Sequence, residues 1–463
     1  MINLNKKQEK AVNSKSQFNL VIAGAGTGKT TVIINRILKL TIENSIEPKK
    51  IALLTFSNKA ALEMEERIEK IGVYLKYIGT FHSFSLKLIN EYNLLNYSPI
   101  ILQGEEKREF FEESIKRLQL KSSYIDPFMA QIEKLKRNGL FYTELVVNKN
   151  NTMEVFLKKA YELYEAALIK QKRIDYENML LVLIKNIKNN KKFREVFKNK
   201  FSHILIDEYQ DTSLLQLNLI QEIIKLNNKI NLFAVGDDDQ SIYGFRDAKI
   251  ENILRFEEQF KGTKVTKLLI NYRSSKKIVK IANSLIKNNK FRYKKTLDNT
   301  NLDIGIIEKK VFLEQDQENY FIIEKLKSFI NMGKNSNSIA ILLRYNSQIK
   351  KLIPYLQNNN IEFTTSLSDE EKIELELDNR GNGIRVITYH SAKGLEFNTV
   401  FLPYLGEEIF LRKDTNIEEE RRLFYVGITR AKENLFLTYS TTNKKFGQTI
   451  YTKPLLFLEE III

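Results

Sequence analysis

Short apolar runs rich in β-branched residues punctuate the chain, and each ends abruptly in a glycine or a polar residue. Four lie early: FNLVIAG (18–24), IALLTFS (51–57), HILIDE (203–208) and NLFAVGD (231–237). Four lie late: SIAILLR (338–344), IRVITYH (384–390), TVFLPYL (399–405) and NLFLTYS (434–440). Between them stand segments such as NKAALEMEERIEKI (58–71), with apolar positions spaced by three and four as on one face of a helix. Strands that are apolar on both faces and alternate with helices predict buried parallel sheets. The runs fall into two groups that divide near residue 270, so two α/β domains are expected. Residues 91–195 differ: they are rich in Lys and Glu, helical in period and without a convincing strand, the pattern of a helical insertion into the first domain. Residues 366–383, SLSDEEKIELELDNRGNG, are acidic and turn-rich and predict a surface connection. No repeat at the usual solenoid periods is visible.

A length of 463 residues fits two to four domains. No apolar run reaches the ~18 residues of a membrane span. The opening MINLNKKQEK has no apolar signal core, so a cytoplasmic protein is expected. Cysteine is absent, which excludes disulfides and thiolate metal sites. The three histidines, His82, His203 and His390, argue against a histidine-rich zinc site. A net charge of +16 points to a polyanionic partner. That signal is diluted by composition, because lysines outnumber arginines roughly three to one and Asn and Ile abound, as an AT-rich genome produces. The stretch 261–295 is more telling, with twelve Lys or Arg and no acid.

VIAGAGTGKTT (21–31) follows a predicted strand and opens a predicted helix. Its glycines let backbone N–H groups wrap a phosphate at a helix N-terminus. The cradle is Ala23, Gly24, Ala25, Gly26, Thr27 and Gly28, with Ala23 where the usual first glycine stands. Lys29 reaches the β- and γ-phosphates, Thr30 ligates Mg²⁺, and Thr31 follows. HILIDEYQDT (203–212) supplies the complement: a strand delivers Asp207 to hold the Mg²⁺, and Glu208 orients and deprotonates the attacking water. The hydrolysed ligand is then a nucleoside triphosphate.

With these two loops in place, the chain resembles the UvrD/Rep/PcrA-type helicases of superfamily 1, through a series of motifs in order. LNKKQEKAV (4–12) looks like the adenine-reading Q motif, with Gln8 on the base. LLTFSNKAA (53–61) and GTFHSF (79–84) resemble motifs Ia and Ib; VGDDDQSIYGFRDA (235–248) resembles motif III and NYRSS (271–275) motif IV. ITYHSAKGLEF (387–397) is similar to motif V and EEERRLFYVGITRAKENL (418–435) to motif VI. The resemblance implies two RecA-like P-loop NTPase domains with parallel sheets and a helical 1B insertion, ATP lying between the two motor domains. It implies 1–90 and 196–268 as domain 1A, 91–195 as 1B and 269–463 as 2A. By the same resemblance Gln240 senses the γ-phosphate, Arg273 and Arg430 neutralise charge on it, Tyr272 stacks on adenine and Glu396 meets the ribose. Asp238 and Asp239 read either as part of a polar network near Mg²⁺ or as turn formers. Relatives carry Arg where this chain has Thr31, which shifts the clamping of the base onto Tyr272 and Gln8.

For single-stranded DNA the matching positions are Phe56 and Asn58, Thr80 and His82, Tyr243, Phe245 and Arg246, and His390, aromatic platforms and polar donors that follow a strand. Phe56 also reads as a packing residue. The family commonly has Trp where this chain has Phe245, and this sequence contains no Trp. Only about 20 residues separate the strand ending near 365 from motif V, too few for the accessory 2B domain of larger relatives. The expectation is a minimal motor: an ATP-dependent 3′–5′ translocase or helicase on single-stranded DNA or 3′-tailed duplex. DNA repair is one setting. The alternative is an ATPase and DNA-sensing subunit that acts with a partner nuclease in a Gabija-like antiviral defence complex. A scaffold with a degraded ATPase is the third reading, and all catalytic residue types are intact.

Overall fold

The computed structural model describes residues 4–301, 305–374, 382–412, 415–445 and 448–461. It divides into two compact units. The first comprises Met1–Val21, Thr30–Gly236 and Tyr243–Thr266; the second comprises Ile22–Lys29, Asp237–Ile242 and Lys267–Ile463. The division therefore differs from a single boundary near residue 270, because two short segments, one holding the glycine loop and one DDDQSI, belong with the later half of the chain.

Strands β1 (Phe18–Ala23), β2 (Ile51–Thr55) and β3 (Tyr77–Thr80) open the first unit. Two strands of two residues each, β4 (Ile100–Ile101) and β5 (Arg173–Ile174), pair in parallel inside the insertion. The insertion is thus helical apart from this one pairing, which the reading of 91–195 as strand-free missed. Strands β6 (His203–Ile206), β7 (Asn231–Gly236) and β8 (Lys264–Leu268) complete a six-stranded sheet of order β3-β2-β6-β7-β1-β8. β2 pairs in parallel with β3 and β6, and β6 with β7. Every residue of β2 is buried, as expected of a strand covered on both faces. Ser57 and Thr80 stop two of these strands and cap the helices that follow, their hydroxyls accepting from the N–H of Ala60 and Ser83 at 3.2 Å each.

The insertion has its own core, with Phe111, Ile132, Tyr161, Tyr164 and Leu168 at its centre. A polar knot lies beside it. Buried Lys136 is held between Asp175 at 2.7 Å and Glu165 at 2.5 Å, with its ammonium 4.7 Å from the Tyr164 ring centroid. Asp175 also caps the helix Tyr176–Asn189 by accepting from Asn178 N at 2.9 Å.

In the second unit β9 (Ile270–Asn271) pairs in parallel with β10 (Asp298–Asn299). The main sheet contains β11 (Ile307–Glu314), β12 (Ile339–Leu343), β13 (Phe363–Thr365), β14 (Ile384–Thr388), β15 (Phe397–Leu402), β16 (Ala431–Lys445) and β17 (Gln448–Tyr451). Its order is β11-β16-β15-β12-β14-β13, with β17 antiparallel to β16. The strand, helix and strand expected over 338–365 are β12, the helix Asn346–Asn358 and β13. The acidic stretch after β13 contains a helix, Asp369–Glu374, and residues 375–381 lie outside the described residues. Helix Gln315–Asn331 packs on this sheet, its Ile322 and Leu326 sharing one core with Ile341 and Phe436. The same helix carries Glu318 into the core, where its carboxylate accepts from Tyr404 N at 2.8 Å and the Thr438 hydroxyl at 2.6 Å. Burial among these neutral partners lifts Glu318 to about 7. Among the described residues no helix is long and apolar enough to cross a membrane.

Candidate nucleotide and nucleic-acid site

β1 delivers Ala23 into a turn that runs to Gly28, and the helix Lys29–Leu38 starts directly after it. Gly26 and Gly28 have φ of +67° and +85°, a region that only glycine enters freely. A Cβ on Gly26 would also lie 2.7 Å from Arg273 Cβ and 2.8 Å from Asn271 Nδ2. Buried Thr27 ties the turn together by donating its hydroxyl to the Gly24 carbonyl at 2.8 Å. Asn271 Nδ2 donates to the Ala25 carbonyl at 2.8 Å, and Tyr272 N donates to that of Gly26 at 2.9 Å. Lys29, Thr30 and Thr31 form the first turn of the helix, which carries no acid, so its N–H groups and dipole favour an anion. Gln8 lies in the helix Lys6–Val12, where its side-chain oxygen accepts from Asn5 N at 2.9 Å in a reciprocal cap. That amide oxygen is therefore engaged locally, whatever the Gln8 N–H group meets.

In the first unit β6 ends at Ile206, and Asp207 and Glu208 follow. Glu208 has φ +50°, a left-handed conformation that is costly for a residue with a side chain and that gathers at functional sites. Its carboxylate accepts from Gln210 Nε2 at 2.6 Å, and its N–H donates to Asp207 Oδ1 at 2.9 Å. The two carboxylates are thereby oriented by their own turn.

The second unit gathers the remaining candidates. Arg430 is buried; its guanidinium donates to the carbonyls of Val426 at 3.0 Å and Leu395 at 3.1 Å, and to Gln240 Oε1 at 3.1 Å. Gln240 Nε2 in turn donates to Asp237 Oδ2 at 2.6 Å, and Lys393 donates to the Gln240 carbonyl at 2.8 Å. The three aspartates converge on one buried lysine: Lys295 Nζ lies 3.1 Å from Asp237, 2.5 Å from Asp238 and 2.8 Å from Asp239. Arg292 grips Asp239 with two bonds of 2.7 and 2.6 Å. Burial lifts the Asp238 carboxyl to about 6, Lys295 pulling it down and Asp239 and Asp237 adding to the rise. Burial also acts upward on Asp239, but Lys295 and Arg292 outweigh it and hold that carboxylate below its usual range. Asp238 and Asp239 are therefore more than turn formers. Arg292 and Lys295 from the basic stretch 261–295 are turned inward onto these acids, which subtracts them from the field ascribed to that stretch.

Arg273 Nε donates to Glu396 at 2.7 Å, and Glu396 also pairs with Lys432 at 2.7 Å. Burial alone would raise Glu396; Lys432 and Arg273 more than offset it, so its carboxyl is lowered. Tyr272, beside Arg273, is 45% exposed.

Four of the expected DNA contacts form one aromatic and basic cluster in the first unit. The rings of Phe56 and Tyr243 stack at 4.5 Å, and Phe245 leans on Tyr243 at 5.9 Å. The Arg246 guanidinium lies 5.6 Å from the centroids of both Tyr243 and Phe245. Phe245 is 64% exposed, a large apolar ring offered to solvent. Phe56 packs, its ring backing the Tyr243 face. Asn58 is exposed at the start of the helix Asn58–Glu69. Thr80 caps the next helix, Phe81–Glu91, and His82 within it meets the Tyr176 ring edge-on at 5.4 Å. Burial lowers His82 to about 4, so it is neutral at physiological pH. His390 belongs to the second unit, half-buried just past β14.

Residues 4–261 match the model of the UvrD/REP helicase N-terminal domain. Residues 266–372 and 364–442 match that of the UvrD-like helicase C-terminal domain. This chain belongs to the UvrD/REP helicase family. Among its relatives is a probable DNA helicase II homolog of Rickettsia conorii, 28% identical over 99% of this chain and 96% of that protein. The ATP-dependent DNA helicase PcrA of Staphylococcus epidermidis is 25% identical over 99% of this chain and 86% of that protein. A probable DNA helicase II homolog of Mycoplasma capricolum is 31% identical over 78% of this chain and 51% of that protein. None of these relatives lends support to the antiviral reading.

Within this UvrD-like helicase the sequence motifs pointed to the nucleotide loop, the acidic pair and the aromatic cluster. They did not point to Asn271 as the side chain on the Ala25 carbonyl, to Lys393 on Gln240, to Tyr176 against His82, or to Arg292 and Lys295 on the aspartates. A signal existed for the last two: FRYKK (291–295) is a dense basic run, and a buried acidic triplet needs cations from somewhere.

Proposed function

We propose that this protein is an ATP-driven translocase that moves 3′ to 5′ on single-stranded DNA and unwinds 3′-tailed duplex. The observation that carries the reading is the segment 237–246. Within it, buried Gln240 is bound to Arg430, and three residues later begins the Tyr243–Phe245–Arg246 cluster, whose Tyr243 ring stacks on Phe56. A shift at the glutamine on ATP binding or hydrolysis has a very short path to an aromatic grip on bases.

The glycine turn and acid-free helix start suit a triphosphate. The Thr30 hydroxyl and Asp207 carboxylate are hard oxygen donors of the kind Mg²⁺ takes, and they would hold it. Bound there, Mg²⁺ supplies charge neutralisation on the phosphates. Glu208, oriented by Gln210, accepts the proton of the attacking water, and Lys29, Arg273 and Arg430 offset charge that develops on the transferred group; an arginine in such a role is worth about 10³–10⁵ in rate. Glu396 must first share or release Arg273 for this to happen. Tyr272 covers the base, and Gln8 and Thr31 flank it.

Domains 1A, 1B and 2A over 1–90 with 196–268, 91–195 and 269–463, without a 2B domain, complete the proposal, together with a cytoplasmic location. In support, the alignment with the Rickettsia relative spans 627 positions against the 463 residues here, leaving at least 164 positions of the relative with no counterpart. The test is ATPase activity with and without single-stranded oligonucleotide across a salt series. Strong stimulation that fades as salt rises is expected; turnover indifferent to DNA at every salt concentration would overturn the reading.

A further inference from the structure

The acidic triplet and its buried lysine are not used by the chemistry above. All the groups concerned lie in one compact unit. Lys295 has no exposed surface to speak of, and it reaches all three aspartates within 3.1 Å. Asp237 is shared: one carboxylate oxygen faces Lys295 at 3.1 Å, while the other accepts from Gln240 Nε2 at 2.6 Å. The amide oxygen of Gln240 is then left for Arg430, at 3.1 Å. This order fixes which way the Gln240 amide points. With its N–H on a carboxylate, its oxygen must face the guanidinium.

We propose that Lys295 is a positioning residue for ATP hydrolysis: it anchors Asp237, which sets the orientation of Gln240 and through it the place of the Arg430 guanidinium. The inference rests on the reading of the site as an ATPase. Lys295 lies outside the glycine loop, the acidic pair and the arginines, and the three aspartates have separate tasks. Asp237 relays. Asp238 and Asp239 complete the anchorage, Asp238 also accepting from Tyr293 N at 2.7 Å and Asp239 from Arg292. A lysine serves because a single point charge can lie among three carboxylates, whereas a planar guanidinium pairs bidentately, edge to edge, with one carboxylate, as Arg292 does with Asp239.

A purely structural role for Lys295 would be to neutralise buried acid, and charge balance separates the two roles. Lys295→Met leaves an excess negative charge, and Lys295→Met with Asp238→Asn restores the balance while Asp237 stays without its anchor. In the full chain with saturating single-stranded DNA, the double variant is expected to regain thermal stability relative to Lys295→Met. Its kcat should nevertheless remain lowered, on the order of 10²-fold for a misplaced catalytic group, with the Kd of a non-hydrolysable ATP analogue within about twofold of wild type. Recovery of kcat along with stability overturns the proposal.

If neither lysine variant folds, Asp237→Asn enters the same chain with the shape preserved. It should lower kcat in the wild-type background and have no further effect in Gln240→Ala; equal fold-losses in both backgrounds overturn the proposal. A wild-type enzyme without DNA-stimulated ATPase would refute the functional reading instead, and that measurement is made before any variant.

Discussion

Replacing Phe245 by Ala probes the aromatic cluster at its most exposed ring. Phe245 is 64% exposed, its ring centroid 5.9 Å from that of Tyr243 and 5.6 Å from the Arg246 guanidinium. Its removal should therefore cost little in folding, within about 0.5 kcal/mol for a surface position. A base stacked on an aromatic side chain is worth about 1–3 kcal/mol. The lower half of that range applies here, because Tyr243 stays stacked on Phe56 at 4.5 Å and Arg246 stays in reach. A loss of about 1.4 kcal/mol corresponds to a tenfold weaker Kd. Fluorescence anisotropy with a labelled oligonucleotide reads this directly, and the DNA concentration for half-maximal ATPase stimulation should rise by the same factor. ATP affinity should be unchanged, and Phe245→Trp should bind DNA more tightly than wild type. A DNA Kd unmoved by Phe245→Ala, or a parallel loss of ATP binding, would refute the assignment of this ring to the DNA track.

Glu208→Gln keeps the turn but removes the base, so kcat should fall by about 10²–10⁴-fold with ATP still bound, as measured by turnover beside nucleotide titration. Glu318→Gln should have a pH-dependent effect on stability. The folded carboxyl is raised to about 7, so the folded state holds its proton where the unfolded chain has already released it; the wild type loses stability as pH rises from the unfolded value toward 7. The neutral glutamine escapes that loss, so urea unfolding should show up to about 3 kcal/mol of gain at pH 8 and none at acidic pH. The opposite trend would contradict the burial of a neutral acid. Lys136→Met strands Asp175 and Glu165 in the insertion, a change worth about 3–5 kcal/mol in unfolding free energy; a loss under 1 kcal/mol would show that the knot is not the anchor of that subdomain.

The buried parallel strands were readable because both of their faces are apolar, as in IALLT and HILI. Several strands that escaped notice are of another kind. β8 (KVTKL) and β11 (IEKKVFLE) place Lys and Glu among β-branched residues, because each lies at the edge of its sheet and shows one side to water. β4 and β5 hold two residues each, too few for a period to register.

The candidate site divides along the same line. Loops whose chemistry is local, from Ala23 to Thr31 or from Asp207 to Asp211, are complete in a few consecutive residues. The hub of Lys295 and the aspartates joins positions more than fifty apart, and the bond from Asn271 to Ala25 spans a separation of 246. No spacing rule connects such partners. Local composition misled as well, since Arg292 and Lys295 belong to a basic stretch that reads as a surface for nucleic acid while these two side chains face inward.

A translocase is defined by directed movement along one strand. The most direct measurement is stopped-flow arrival of the protein at a fluorophore placed on the 5′ or the 3′ end of oligonucleotides of increasing length, started by ATP and Mg²⁺ in the presence of a protein trap. A 3′-to-5′ translocase gives a lag that grows linearly with length for the 5′ label and no such lag for the 3′ label, both signals being abolished by Glu208→Gln. Kinetics independent of length, or a lag at the 3′ label instead, would contradict it.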